Sequence, residues 1–473
     1  MEKLPSECTT IIVGEEMSAD GSRIVARSSD FDAMQAINIE VHKDTIFGPE
    51  KFIAKDSRFS CELPSEALGY TALPDYSFPG EWGSAGFNSL GVGMSSTETI
   101  FSSTKALQAD PYVEDGLAEN CTYNIVLPYI HSAREGVERL GMLIEKYGSA
   151  EGFGISFIDN KETWYLENAC GHHWLACRMP KDQYFVTGNQ SRFREYDPYD
   201  KENFLASTNL LGFAEKHHLY DPKKEKFDFH KAYARDEKLD TTYNYPRVWG
   251  LQQMFSPAIH NDVTVNTFPV FAKAEKPISI SDLRKAFRFH YDNTSHDPYL
   301  NNNPHEPYRP VSIFRTTQTH LLQVRKELPK EIGCLGYVAF GMADLGVFLP
   351  VYQGVRHFPE AYTKVSSNKA DSSSAYWTFR KVMTLGMVNY NAYAPIIKET
   401  YAKLEAENDQ RQKEMEAAYL SIYKTSPMQA LDLLQNFSDS VLNHALDVAR
   451  ELTEELFTRL TADIQKDYLF HGA

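Results

Sequence analysis

The stretch "SECTTIIVGEEMSADGSRIVARSSDFD", residues 6 to 32, decides how the rest of the chain is read. Residues 8 to 14 ("CTTIIVG") and 23 to 30 ("RIVARSSD") are β-branched runs on either side of Asp20-Gly21. β-Branched side chains suit a pleated strand and Asp-Gly suits a turn, so the pattern predicts an antiparallel hairpin. In a hairpin the end of the second strand lies beside the start of the first, which brings Arg27 and Asp30 close to Cys8. A thiol attacks a carbonyl only as thiolate, and an ordinary cysteine, with a pKa of about 8.5, needs a base or a cation beside it at neutral pH. A free α-amine, with a pKa of about 7.7 to 8.0, is such a base. Removal of residues 1 to 7 ("MEKLPSE") would put nucleophile and base on one residue, with Arg27 favouring the thiolate and Asp30 holding the ammonium.

Working outward, "AGFNSLGVGMSSTET" (85 to 99) reads as a turn and a strand. "SAREGVERLGMLIEKYGS" (132 to 149) sets Val137, Leu140, Leu143, Ile144 and Tyr147 on one stripe before Gly148, which predicts an amphipathic helix with a glycine stop. The alternating runs 152 to 159, 162 to 168, 172 to 179 and 183 to 189 predict a four-strand antiparallel meander. The polar region from about 200 to 330, including "YDNTSHDPYLNNNPHEPYRP", reads as long loops. From about 391 onward a charged helix, "KETYAKLEAENDQRQKEMEAAYLSIYK", is followed by Ser426-Pro427 as cap and first residue of a second helix. The acidic segment 404 to 416 is expected to be a solvated face. Strands, helices and strands in blocks predict an α+β fold, and no GxGxxG or P-loop pattern joins a strand to a helix.

Composition narrows the partners. With 48 Lys+Arg against 64 Asp+Glu the net charge is −16, which disfavours nucleic acid and anionic membrane surfaces. Residues 1 to 7 lack the apolar segment of a secretory signal, and no run of about 18 apolar residues occurs, so a cytoplasmic location is expected. The six cysteines (Cys8, Cys61, Cys121, Cys170, Cys177, Cys334) fall at irregular spacings without a CxxC pair, so neither a disulfide scaffold nor a zinc site is expected. His172 and His173 are adjacent on a predicted strand and point to opposite faces, which makes them structural in this reading.

The pattern "CTTIIVG…DGS…ARSSD" resembles the N-terminal nucleophile (Ntn) hydrolases, and among them the cysteine dipeptidases of the lactic acid bacteria type, peptidase family C69. The resemblance continues in order through "GFNSLGVGMSSTET" (86 to 99), "GHHWLACRMP" (171 to 180), "TGNQSRF" (187 to 193), "NYPRVWGLQQMFSP" (244 to 257), "RFHYDNTSHDPY" (288 to 299) and "GYVAFGMADLGVFLPVY" (336 to 352). It implies a four-layer αββα sandwich with a C-terminal helical extension, divided as propeptide 1–7, catalytic domain 8–390 and extension 391–473. It further implies Cys8 as nucleophile, flanked by Arg27 and Asp30, with Asn189 in the oxyanion hole and Arg247 as a second arginine near the thiol. Asp292-Asn293 departs from the Glu-Gly expected there. The implied function is a broad-specificity dipeptidase needing no metal or organic cofactor, acting on dipeptides and assembled as a homo-oligomer. An amidase of the bile salt hydrolase or penicillin acylase type, and a non-catalytic interaction protein of the same fold, are the alternatives.

Overall fold

The computed structural model describes residues 7–46, 50–55, 57–74 and 81–469. The expected propeptide therefore lies outside the described residues, apart from the backbone of Glu7. The opening hairpin is present as β1 (Glu7–Val13) and β2 (Arg23–Asp30), antiparallel with Cys8 opposite Ser29 and Thr10 opposite Arg27. Gly21 turns the chain at a φ of 73°, and the Asp20 carboxylate accepts from the Ser22 amide at 3.2 Å. A second hairpin, β3 (Ala85–Phe87) and β4 (Gly93–Thr99), leads into α1 (Glu119–Val126) and α2 (Ala133–Tyr147). Helix α2 follows the predicted stripe, capped by the Ser132 side chain on the Glu135 amide and ended by Gly148.

Strands β5 (Phe153–Ile158), β6 (Thr163–Asn168) and β7 (Trp174–Arg178) then form the expected meander. The fourth predicted strand, β8 (Tyr184–Thr187), does not join it. It crosses to the other sheet and pairs with β1, Thr10 opposite Thr187. Alternation identifies a strand but carries no information about its partner, and the turn at Pro180–Lys181 is anchored to the first hairpin by the Glu16 amide on the Lys181 carbonyl, 2.8 Å.

The region read as long loops contains β9 (Phe204–Ala206), α3 (Tyr245–Phe255), β10 (Phe271–Ala272), α4 (Ile280–Arg288) and the nine-residue β11 (Thr316–Val324). Strand β11 is buried throughout and sits between β2 and β12 (Cys334–Phe340), with β13 (Leu349–Tyr352) outside. Its sequence, "TTQTHLLQV", looks like surface, but several of its polar side chains find partners internally: Gln323 donates to Asp20 at 2.7 Å, and His320 bonds Ser95 at 2.8 Å.

The result is an α+β fold with a seven-stranded antiparallel sheet, β10-β8-β1-β2-β11-β12-β13, and a six-stranded one, β9-β7-β6-β5-β4-β3. The sheets meet through Tyr165 against Phe185, ring centroids 5.0 Å apart, and through the Ser95–His320 bond. On the opposite face of the smaller sheet, Phe153, Ile155, Phe157, Trp164 and Leu166 pack on the stripes of α1 and α2.

The C-terminal region is helical: α5 (Ala375–Val388), α6 (Tyr390–Tyr423) and α7 (Pro427–Asp467). Its apolar stripe, including Leu434, Val441, Leu442, Ala445 and Leu452, is continuous with the core under β12 and β13. The segment 404 to 416 is not simply a solvated face. Glu405, Asp409 and Glu416 turn inward to Arg288 (2.6 Å), Arg284 (2.7 Å) and Arg325 (2.8 Å), arginines whose distant sequence positions hide the pairing. Among the described residues, no helix is long and apolar enough to cross a membrane.

Candidate active site

Cys8 and Arg27 are inward-facing diagonal neighbours across the hairpin, because Thr10 is opposite Arg27 and side chains repeat every second residue. Arg27 Nη1 donates to Cys8 Sγ at 3.0 Å and to the Thr97 carbonyl at 2.5 Å, while Nη2 donates to the Ser96 carbonyl at 2.5 Å. The guanidinium is thus braced by β4 and aimed at sulfur. Burial pushes the Cys8 thiol up to about 12, and the Arg27 charge opposes that rise. With residue 7 attached, Cys8 carries an amide and not an amine, and the thiol is held protonated.

The other expected residues converge through long-range packing. β8 delivers Asn189 beside Cys8, whose main-chain N–H donates to Asn189 Oδ1 at 3.3 Å. Helix α3 delivers the buried Arg247, which donates to the Cys8 carbonyl at 2.5 Å, Thr9 Oγ1 at 3.0 Å and Asn189 Oδ1 at 2.9 Å. Since Arg247 can only donate, the Asn189 amide is oriented with Oδ1 toward Cys8 and Nδ2 toward the Thr99 carbonyl, 3.1 Å. Burial lowers Arg247 to about 9.

Asp30 closes the end of the hairpin, opposite Glu7. Its carboxylate is taken by Arg309 Nη2 (2.6 Å), Thr316 Oγ1 (2.6 Å) and Ser28 Oγ (3.1 Å), so it braces β2 against β11 and the Arg309 loop.

Sequence reasoning missed four participants. Asn244, one helical turn before Arg247, accepts from Arg247 at 2.6 Å and from the main-chain N–H of Asn189 at 2.9 Å, locking the two together. Arg309 and Thr316 lay in the supposed loops. Glu98, in "SSTET", is buried, and Thr10 Oγ1 donates to its Oε2 at 2.7 Å. Burial pushes the Glu98 carboxyl up to about 8. The only local signal was an acidic residue in the middle of a polar strand.

The remaining cysteines are buried thiols that form no disulfide among the described residues. His172 bonds Asp110 at 2.9 Å and His173 bonds Ser207 at 2.9 Å, two separate structural contacts. The Asp292-Asn293 pair stands in a turn, Asn293 at a φ of 59°, with Asp292 3.2 Å from His290. A cavity of ≈ 640 Å³ lined by Gly14, Arg23, Cys177 and Phe193 opens at the turn end of the hairpin, away from the thiol.

A buried thiol on the first strand of the chain, with a cation on its sulfur and a side-chain amide on its main-chain nitrogen, is an arrangement in which a cysteine can be activated as a nucleophile. The chain belongs to peptidase family C69, whose profile matches residues 7–403. It is 50% identical over 356 residues to a probable dipeptidase of Salmonella dublin, covering 74% of this chain and 82% of that one. It is 32% identical over 470 residues to dipeptidase A of Lactobacillus helveticus, covering 95% and 97% of the two chains. A dipeptidase of Bifidobacterium longum is 32% identical over 415 residues, 80% of this chain and 76% of its own.

Proposed function

We propose that the protein is a cysteine dipeptidase of the Ntn hydrolase type, a four-layer αββα sandwich whose nucleophile becomes N-terminal when residues 1 to 7 are removed. The reading is carried by one observation: Cys8 holds Arg27 on its sulfur at 3.0 Å and Asn189 on its nitrogen at 3.3 Å. Membership of the family supports it, as do relatives named dipeptidases over most of their length.

Freed of Glu7, the Cys8 α-amine takes the thiol proton, and the thiolate adds to the peptide carbonyl of a dipeptide. Asn189 Nδ2, which donates to the Thr99 carbonyl at 3.1 Å while residue 7 is attached, is the side-chain donor for the developing oxyanion, and removal of one such donor costs roughly 3 to 4 kcal/mol. The protonated amine returns its proton to the leaving amino group, and water hydrolyses the thioester. No metal or cofactor enters these steps.

The test is the intact mass and N-terminal sequence of purified protein, with Cys8→Ala beside wild type, and hydrolysis of a dipeptide panel. Wild type beginning at Cys8 and active, with the variant unprocessed and inactive, is the expected result. Wild type that retains residue 7 and still hydrolyses dipeptides overturns the proposal.

A further inference from the structure

The proposed mechanism uses the Cys8 α-amine as base, yet that amine does not exist until the bond before Cys8 has broken. The first attack, of the thiol on the Glu7 carbonyl, needs a different proton acceptor. Three buried groups near the thiol are already committed. Asp30 is held by Arg309, Thr316 and Ser28. His320 is bonded at both ring nitrogens, to Ser95 and Gln318, and its burial beside Arg27 keeps it neutral. Glu119 accepts from Thr99 Oγ1 at 2.8 Å on the far side of β4.

Glu98 differs in placement and in bonding. The β4–β5 register runs Ser96 to Ile155 and then Glu98 to Gly154, so Thr97 is an extra residue, a β-bulge. In an unbroken strand Ser95, Thr97 and Thr99 would share the inner face. The bulge turns Glu98 onto that face instead, alongside Ser95 and opposite Gly154, whose missing side chain leaves room there for the Tyr165 hydroxyl. There it meets Thr10, one same-face step along β1 from Cys8, while Arg27 Nη1 links Cys8 Sγ to the carbonyl of Thr97, the neighbour of Glu98. Oε2 accepts from Thr10, but Oε1 is buried with no hydrogen-bond partner among the described residues. A buried carboxyl oxygen left unpaired costs about 1–3 kcal/mol, so its retention beside the nucleophile points to a use.

Resting on the self-processing reading above, we propose that Glu98 is the proton acceptor for removal of residues 1 to 7. The thiol proton passes to Glu98, directly to Oε1 or through the Thr10 hydroxyl to Oε2. Sγ adds to the Glu7 carbonyl carbon, and the tetrahedral adduct collapses by breaking the bond to the Cys8 nitrogen, which takes the proton from Glu98. A Glu7 thioester on Sγ and a free Cys8 amine result. Water then cleaves the thioester, giving the Glu7 carboxylate and the mature thiol. Burial, which raises Glu98 toward the thiol range, makes the transfer less uphill than to an ordinary carboxylate.

The experiment follows the intact mass of the full chain after cell-free synthesis for wild type, Glu98→Gln, Glu98→Asp and Glu98→Ala, the last with added formate or formamide. Expected are full processing in wild type, at least a hundredfold slower processing in Glu98→Gln, slowed processing in Glu98→Asp, and recovery of Glu98→Ala by formate but not formamide. Processing of Glu98→Gln at the wild-type rate, or equal rescue by formamide, overturns the assignment and leaves self-processing standing. If Glu98→Gln does not fold, Glu98→Asp at the wild-type rate overturns it equally. Wild type that never loses residues 1 to 7 in purified form removes the underlying reading instead, a distinguishable failure.

Discussion

Replacing Arg27 with Met in protein that begins at Cys8 tests whether the arginine's charge sets the proposed nucleophile. Nη1 stands 3.0 Å from Sγ, and the charge is spread over the guanidinium, so the effective separation is about 4 Å. Unit charges at that distance interact by about 4 kcal/mol at an effective permittivity of about 20. One pKa unit corresponds to about 1.4 kcal/mol, so losing Arg27 raises the thiol by about 3 units and cuts the thiolate population at neutral pH about a thousandfold. Both side chains are buried, and salt screens such a pair weakly. Because Arg27 also braces the Ser96 and Thr97 carbonyls, Arg27→Lys is the control that keeps charge while losing part of the brace. It should recover most of the shift. The assay is the rate of Cys8 alkylation by iodoacetamide against pH, read by mass, beside kcat/KM for a dipeptide. A Met variant whose alkylation midpoint stays within about half a unit of wild type, with activity lost all the same, refutes the electrostatic account. Arg27 would then act by holding β4.

Three further outcomes are expected. Glu98 is raised to about 8 in the folded full chain and is near 4.3 when unfolded, so its contribution is complete below the lower value and lost as pH rises through the upper. In a Cys8→Ala background, the melting-temperature advantage of Glu98 over Glu98→Gln should shrink between about pH 5 and pH 8, and an advantage that grows over this window refutes the sign. A Cβ on Gly154 would come 2.0 Å from the Tyr165 hydroxyl, so Gly154→Ala should cost about 1–3 kcal/mol in urea unfolding, with unchanged stability ruling out close packing there. Glu405 accepts from Arg288 at 2.6 Å and from the Phe348 amide at 2.8 Å, and Glu405→Ala, which removes the counter-charge of Arg288 and that acceptor of the Phe348 amide, should destabilise by about 3 kcal/mol, against a loss below about 1 kcal/mol if the C-terminal helices are held by their apolar stripe alone.

The residues of the hairpin specified their own neighbourhood. β-Branched runs and a turn are local signals, and antiparallel pairing then allows only one end to meet Cys8, so the contact with Arg27 was legible before any tertiary contact was known. The same holds for α2, whose stripe, serine cap and glycine stop all lie within one segment, and for the two long C-terminal helices. Asn189 and Arg247 could be named from the family pattern, but their meeting at Cys8 depends on β8 leaving the meander and on a helix within a stretch that reads as loop. Periodicity gives a strand its two faces and not its partner, and contacts spanning 181 and 239 residues are paid for by packing that no local window contains. Strand β11 escaped notice because polar side chains such as His320 and Gln323 find their partners only inside the assembled sheets. Glu98 is the sharpest case: its residue type is plain in "SSTET", but the face it occupies was decided by a single-residue bulge that tertiary pairing alone reveals.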